Sequence, residues 1–248
     1  MSKGPAPRPG IMAITPYVGG ESAIEGQGRI IKLSSNENAF GPSPKAIKAY
    51  RALAPEMHRY PDGGATGLRR ALAKAWKLDA ERIVCGAELV EADGNVVMLR
   101  TFSKIYGLGG LRLGWGYFPV HVADVLNRLR GPFNVSSAAL AAGEAALADV
   151  AFVDKVRAHT EQWREWTMAE ARALGLTVTP GIGNFLLIHF PVEKGRDAAA
   201  ADAFLKSRGV IVRRMERYGL GHCLRATIGR EDEMRAFIAA LAQFTGAK

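Results

Sequence analysis

The segment Arg100–Leu113 reads R-T-F-S-K-I-Y-G-L-G-G-L-R-L and gathers most of the side chains able to do chemistry. An apolar run, Val96-Val97-Met98-Leu99, has the character of a buried strand and leads into Ser103-Lys104. A lysine at the end of a buried strand loses hydration, which disfavours its charged form and lowers its pKa. The neutral amine is then a nucleophile for a carbonyl carbon. Ser103 sets a hydroxyl beside it. Gly107, Gly109 and Gly110 form a loop able to fold back, and Arg112 carries a planar fork suited to a phosphate. A lone Ser-Lys pair in a glycine turn is ordinarily a solvated surface feature. Here amine, hydroxyl and guanidinium share one short segment.

An amine for an aldehyde and an anchor for a phosphate are together what pyridoxal 5'-phosphate (PLP) requires of a protein. The run Thr101-Phe102-Ser103-Lys104-x-x-Gly107-Leu108-x-Gly110-x-Arg112 resembles the lysine signature of PLP-dependent aminotransferases of fold type I, most closely the histidinol-phosphate aminotransferases. Gly109 stands where that family usually has alanine, a departure that loosens the loop. The resemblance implies that Lys104 is the catalytic residue, holding the cofactor aldehyde as a Schiff base and shuttling a proton at the substrate Cα. It implies that Ser103 and Arg112 anchor the phosphate.

The same resemblance extends to other segments. Arg225 lies inside the apolar run C-L-R-A-T-I-G, where a guanidinium needs an anion partner because an unpaired buried charge costs several kcal/mol. It matches the family's substrate-anion arginine. Arg213, ending V-I-V-R, matches a second one, although Arg214 beside it is an equal alternative from sequence. Leu33-Ser34-Ser35-Asn36-Glu37-Asn38 resembles the substrate-proximal segment, with Asn36 as the contact, and Thr15-Pro16-Tyr17 resembles the segment of the substrate-contacting tyrosine. In Arg59-Tyr60-Pro61-Asp62-Gly63, Tyr60 corresponds to a tyrosine that reaches the cofactor phosphate of the neighbouring subunit, which implies a homodimer. Plain packing or turn roles for Tyr17 and Tyr60 remain the alternatives.

The chain has 248 residues, 48% of them hydrophobic, enough for one large or two modest domains. Its formal charge of +9 invites a nucleic-acid reading. The basic residues are scattered, and the strands lack the aromatic and basic interleaving that stacking on bases needs. A small anionic, amino-acid-like substrate explains the excess as well, so neither a nucleic-acid nor a membrane partner is expected. Cys85 and Cys223 show no metal-ligand spacing and sit in apolar contexts, as in a reduced, cytoplasmic protein without a metal. The prolines near the start are unlike a signal peptide, and no apolar run approaches the ~18 residues of a membrane helix.

Periodicity and turn signals predict helices over 44–54 and 66–77, strands over 82–86 and 95–101, and a helical stretch over 120–174 broken near Pro132 and 134–137. Beyond it, strands at 176–179, 184–190, 210–213 and 222–228 alternate with helices at 197–207 and 230–244. The expected fold is α/β: an N-terminal arm (1–28), a PLP-binding, doubly wound large domain (29–150) and a small C-terminal α/β domain (151–248).

The resemblance also has a gap. After Val84-Cys85-Gly86 the family continues with a Gly-Ser-rich helix start that holds the phosphate, an Asn-Pro-x-x-Pro-Thr-Gly loop and an Asp-Glu-x-Tyr motif. Only seventeen residues separate Gly86 from Lys104, and none of these motifs is present. The aspartate that keeps the pyridine nitrogen protonated is missing with them. Asp93 stands ahead of the Lys104 strand, roughly 30 Å from the lysine along an extended chain, too far to substitute. The large domain is therefore expected to be truncated in its middle. Transamination of histidinol phosphate with 2-oxoglutarate in histidine biosynthesis is the leading reading. A catalytically silent or internally deleted homologue, and a relative acting on aromatic amino acids or threonine phosphate, are the alternatives.

Overall fold

The computed structural model describes residues 8, 10–14, 19, 21–26, 28–86 and 97–246. In chain order the elements are β1 (Ile31–Lys32), α1 (Pro44–Ala52), α2 (Thr66–Trp76), β2 (Ile83–Gly86), β3 (Met98–Thr101), β4 (Gly114–Tyr117), α3 (Val120–Leu129), α4 (Ser137–Leu147) and α5 (Val150–Ala173). They continue with β5 (Thr177–Thr179), β6 (Phe185–His189), α6 (Ala198–Ser207), β7 (Val210–Ile211), β8 (Arg213–Arg214), β9 (Cys223–Thr227) and α7 (Glu231–Thr245). The helix ends follow local chemistry. Ser43, Ser136 and Asp197 accept hydrogen bonds from Ala46 N, Ala139 N and Ala200 N, satisfying donors that the first turn leaves free. Glu233 reaches back to Arg230 N at 2.7 Å, and three acidic residues in the first turn of α7 complement its dipole.

The first layer is a three-stranded sheet in the order β2-β4-β3, with β4 antiparallel to both neighbours. Sequence periodicity did not predict β4. Its residues, Gly114-Trp115-Gly116-Tyr117, alternate glycine with aromatics because their neighbours crowd them. A Cβ on Gly116 would come within 2.4 Å of the Phe118 ring, and one on Gly114 would lie 3.1 Å from Arg100 O. Leu68 and Leu72 of α2 and Ala139, Ala142 and Ala146 of α4 cover this sheet together with Phe102, Leu113 and Trp115. On its other side Val84 and Phe118 meet Val122 and Ala123 of α3.

The expectation of a buried strand before Lys104 needs correction. β3 is an outer strand of the described sheet, and Leu99, Arg100 and Thr101 are exposed. Lys104 is exposed as well. The burial expected for the lysine is therefore not found.

The second layer is the antiparallel sheet β5-β6-β9-β8. Val178, Leu186, Ile188, Leu224 and Ala226 point to one face and pack with Met234, Phe237 and Leu241 of α7, Leu205 of α6 and Trp163 of α5. The predicted strand 210–213 is two pieces. β7 pairs in parallel with β1, whereas β8 joins β9. In consequence Ile31 and Leu33, which the sequence division assigns to the first unit, are buried in the core of the second.

Phe237 is 1% exposed at the centre of that core. Phe237→Ala is expected to cost about 3–5 kcal/mol, read as a lower urea midpoint; a change below about 1 kcal/mol would show that the cluster is not packed as described. Burial pushes the Cys85 thiol up to about 12, well above the ordinary range of a free thiol. Because its folded pKa is raised, that contribution is complete below about pH 9 and is lost as pH rises toward 12. Cys85→Ala should therefore flatten the alkaline fall in stability, and native Cys85 should resist alkylation at pH 8.

Candidate active site

The segment Leu33–Ala39 ties the two layers together. Leu33 N donates to Ile211 O (2.8 Å), and Leu33 O accepts from Thr227 N (3.0 Å). Arg225 Nη2 donates to Ser34 O at 3.1 Å, and Thr227 Oγ1 lies 3.3 Å from Asn36 Oδ1. Asn184 Nδ2 donates to Glu37 O (3.2 Å) and Arg230 Nε to Ala39 O (3.0 Å). At the far end Asn38 Nδ2 donates to the carbonyls of Lys104 (3.3 Å) and Ile105 (2.9 Å), while its Oδ1 accepts from Phe40 N. One strap thus runs from the arginine-bearing strand β9 to the backbone of Lys104.

The glycine loop closes on the turn just beyond the strap. Gly107 has φ +68°, the left-handed region, and a Cβ there would fall 2.3 Å from Gly41 O. Its N–H donates to Lys104 O at 2.9 Å, completing a turn around the lysine. Ser103 is held by Thr101: Ser103 N donates to Thr101 Oγ1 (3.0 Å), and the two hydroxyls are 2.8 Å apart. Arg112, with φ +52°, donates from Nη1 to Gly109 O (2.9 Å). Gly109 in turn packs on Ser103, a Cβ there lying 3.6 Å from Ser103 O. The hydroxyl and the guanidinium therefore flank one glycine turn.

Lys104 opens onto a cleft of about 440 Å³ between this loop, the strap and α5, whose walls include Asn38, Ile105, Arg157, Glu161 and Asn184. Asn38, Asn184, Arg157 and Glu161 escaped the sequence reading. For Asn38 the signal was available, since it lies two residues beyond Asn36 in the same polar run.

The arginines resolve into different settings. Arg213 of β8 is directly opposite Arg225 of β9, so two guanidinium side chains rise from one face of the sheet. Arg225 is half-buried, with its guanidinium 5.6 Å from the Phe185 ring centroid. Arg214 points the other way and is ion-paired with Glu216. Tyr60 is 82% exposed and stacks on Phe133 with ring centroids 4.7 Å apart. The following residue but one, Asp62, accepts from Thr66 N and Gly64 N, and these two bonds, Thr66 first, hold its carboxyl below the usual range. Tyr17 and Asp93 lie outside the described residues.

The aminotransferase class I and II family matches residues 79–241, the majority of the chain. The chain belongs to that family. A histidinol-phosphate aminotransferase of Paramagnetospirillum magneticum is 42% identical over 360 residues, covering 98% of this chain and 99% of the relative. Another from Rhodospirillum rubrum is 41% identical and covers 97% of each. The first alignment is longer than the 248-residue chain, so more than a hundred of its positions have no counterpart here. Among solved structures, histidinol-phosphate aminotransferase from Sinorhizobium meliloti in complex with pyridoxal-5'-phosphate superposes with a TM-score of 0.76 at 20% identity, over 87% of this chain and 91% of that one. That likeness establishes the fold of this aminotransferase-family chain as fold type I. No described helix is long and apolar enough to cross a membrane.

Gly107→Ala places a methyl against backbone that cannot yield and forces a positive φ, a cost on the order of 1–3 kcal/mol. It should lower the unfolding midpoint and release the Lys104 turn, seen as faster amide exchange at Gly107 and Leu108. Unchanged exchange would mean that the turn does not depend on this close approach.

Proposed function

We propose that this chain carries the PLP site of a histidinol-phosphate-type aminotransferase, with the middle of its large domain absent, and that its turnover is depressed accordingly. The observation that carries the reading is the strap. It joins the strand bearing Arg225 at one end to the backbone of Lys104 at the other, as a site for an anionic amino-acid-like substrate requires.

The donor set fits the two ends of PLP. Lys104 would supply the amine for its aldehyde, and Ser103 and Arg112 would hold its phosphate through a hydroxyl and a charge-assisted fork. When bound, PLP supplies an electron sink that makes the substrate Cα–H acidic. The residues around the lysine do the rest. Asn38 and the Gly107 turn fix the backbone from which the Lys104 amine reaches a proton at the substrate Cα. Arg225, with Arg213 opposite, draws the substrate's anionic group to the strap, while Asn36 and Tyr17 would line the approach. The middle of the ring is less well served. The carboxylates in the cleft wall are Glu37, which is ion-paired with Lys32 at 2.8 Å, and Glu161. Neither matches the missing aspartate motif.

Tyr60 supports a homodimer, since its exposed ring is available to a second subunit's phosphate site. The two free, buried cysteines suit the cytoplasm, where thiols stay reduced. The large domain would comprise the β2-β4-β3 layer and the small one the β5-β6-β9-β8 layer, with residues 1–28 as an arm.

Borohydride reduction with PLP followed by peptide mapping should mark Lys104; label elsewhere with Lys104 untouched would reject its assignment. Transamination of histidinol phosphate with 2-oxoglutarate should be absent or far below the ordinary range of about 1–10³ s⁻¹, and restoring the family's central segment should raise it. Independently of turnover, Arg225→Ala should weaken histidinol phosphate binding by roughly 10–100-fold, the equivalent of a lost charged hydrogen bond of ~1.5–3 kcal/mol. Equal calorimetric affinity would remove Arg225 from the site.

A further inference from the structure

A second cluster of chemically capable side chains lies at the other end of the C-terminal sheet. His189 closes β6 and Cys223 opens β9, and the two are register partners. His189 Nδ1 lies 3.3 Å from Cys223 Sγ. The other ring nitrogen, Nε2, is 2.7 Å from Thr179 Oγ1. His222, next to Cys223, has its ring centroid 5.4 Å from that of His189, and its carbonyl accepts from Phe190 N at 2.9 Å. One ligand atom from each of His189, His222 and Cys223 lies within 4.8 Å of the others. We propose that these three residues bind a divalent cation of the zinc class.

The geometry supports this in three ways. A tetrahedral zinc ion, with Zn–N about 2.0–2.1 Å and Zn–S about 2.3 Å, holds its nitrogen and sulfur ligands about 3.5 Å apart. The observed spacing of Sγ and Nδ1 is already within a few tenths of an ångström of that value. With Nε2–H donating to the Thr179 hydroxyl, the His189 lone pair sits on Nδ1, facing the sulfur. Fixing a ligand's tautomer through the remote nitrogen is the usual arrangement around bound metals. The third ligand is half-exposed, so rotation of the His222 ring can close the remaining gap, and an open side is left for entry and for water as a fourth ligand. Imidazole and thiolate together select zinc and its neighbours over magnesium or calcium.

The cluster is separate from the Lys104 cleft. Asn184 lines that cleft, and His189 is five residues further along, about 16 Å at 3.3 Å per residue in an extended strand. A cation there would pin the end of β6 to the start of β9. Coordination by a cysteine takes the thiolate, so binding would exchange the Cys223 thiol proton for the metal. A simple thiol–imidazole hydrogen bond would account for His189 and Cys223 but would give His222 no role.

Cobalt(II) titration of the reduced, untagged chain tests the proposal, since a thiolate ligand gives a near-ultraviolet charge-transfer band and tetrahedral coordination gives intense visible bands. A single equivalent should saturate both, and zinc should displace them. His222→Asn should weaken binding by at least about tenfold, and Thr179→Val, which removes only the outer hydrogen bond, by roughly tenfold. Cys223→Ser should abolish the charge-transfer band, whereas Cys85→Ala and Lys104→Ala should leave the titration unchanged. Cys223 is fully buried and its replacement can disturb the fold, so the two surface-accessible variants decide the matter. The absence of a thiolate band at excess cobalt, or wild-type affinity in His222→Asn, would overturn the proposal.

Discussion

Everything at the Lys104 site hangs on backbone carbonyls accepting from side chains across a strap of seven residues. Leu33 to Ala39 is neither helix nor strand for most of its length, so its polar groups cannot satisfy one another as they would in regular structure. Arg225, Asn184 and Arg230 supply donors from the C-terminal layer, and Asn38 returns two to the lysine loop. Exchanging any of these for an apolar residue would strand a polar group in the seam between the layers. The lysine's position is consequently a property of both layers at once, although no regular element carries it.

These links persist although more than a hundred positions of the relatives have no counterpart in this chain. The strand bearing Arg225, the strap and the lysine loop are all present and linked by hydrogen bonds. The backbone of Lys104 is thus held by bonds that need none of the positions absent from this chain.

Much of this was legible in the sequence. The amphipathic helices α1, α2 and α7 were visible from their periodicity and caps, and the Thr101–Arg112 signature located the lysine loop. Other features were invisible for physical reasons. β4 hides because its glycines are imposed by Phe118, Leu99 and the neighbouring carbonyls, long-range contacts that leave no local strand signal. β1 is two residues long and exists through its partner β7. The different settings of Arg213 and Arg214 were equally hidden, since the ion pair of Arg214 with Glu216 and the register that sets Arg213 opposite Arg225 are properties of the folded sheet. The His189–Cys223 pairing spans thirty-four residues, so no spacing rule along the chain could reveal it.

The outer position of β3 has a further consequence. Among the described residues it pairs with β4 alone, so one side carries a row of backbone donors and acceptors spaced to match any extended peptide. Association at such an edge is a second-order process, whereas folding is first-order. The ratio of folded monomer to adhering chains therefore depends on how many molecules share the solution. Dilution favours the former, and high local concentration favours the latter. At a strand edge of this kind, concentration joins temperature as a variable that the folded state depends on.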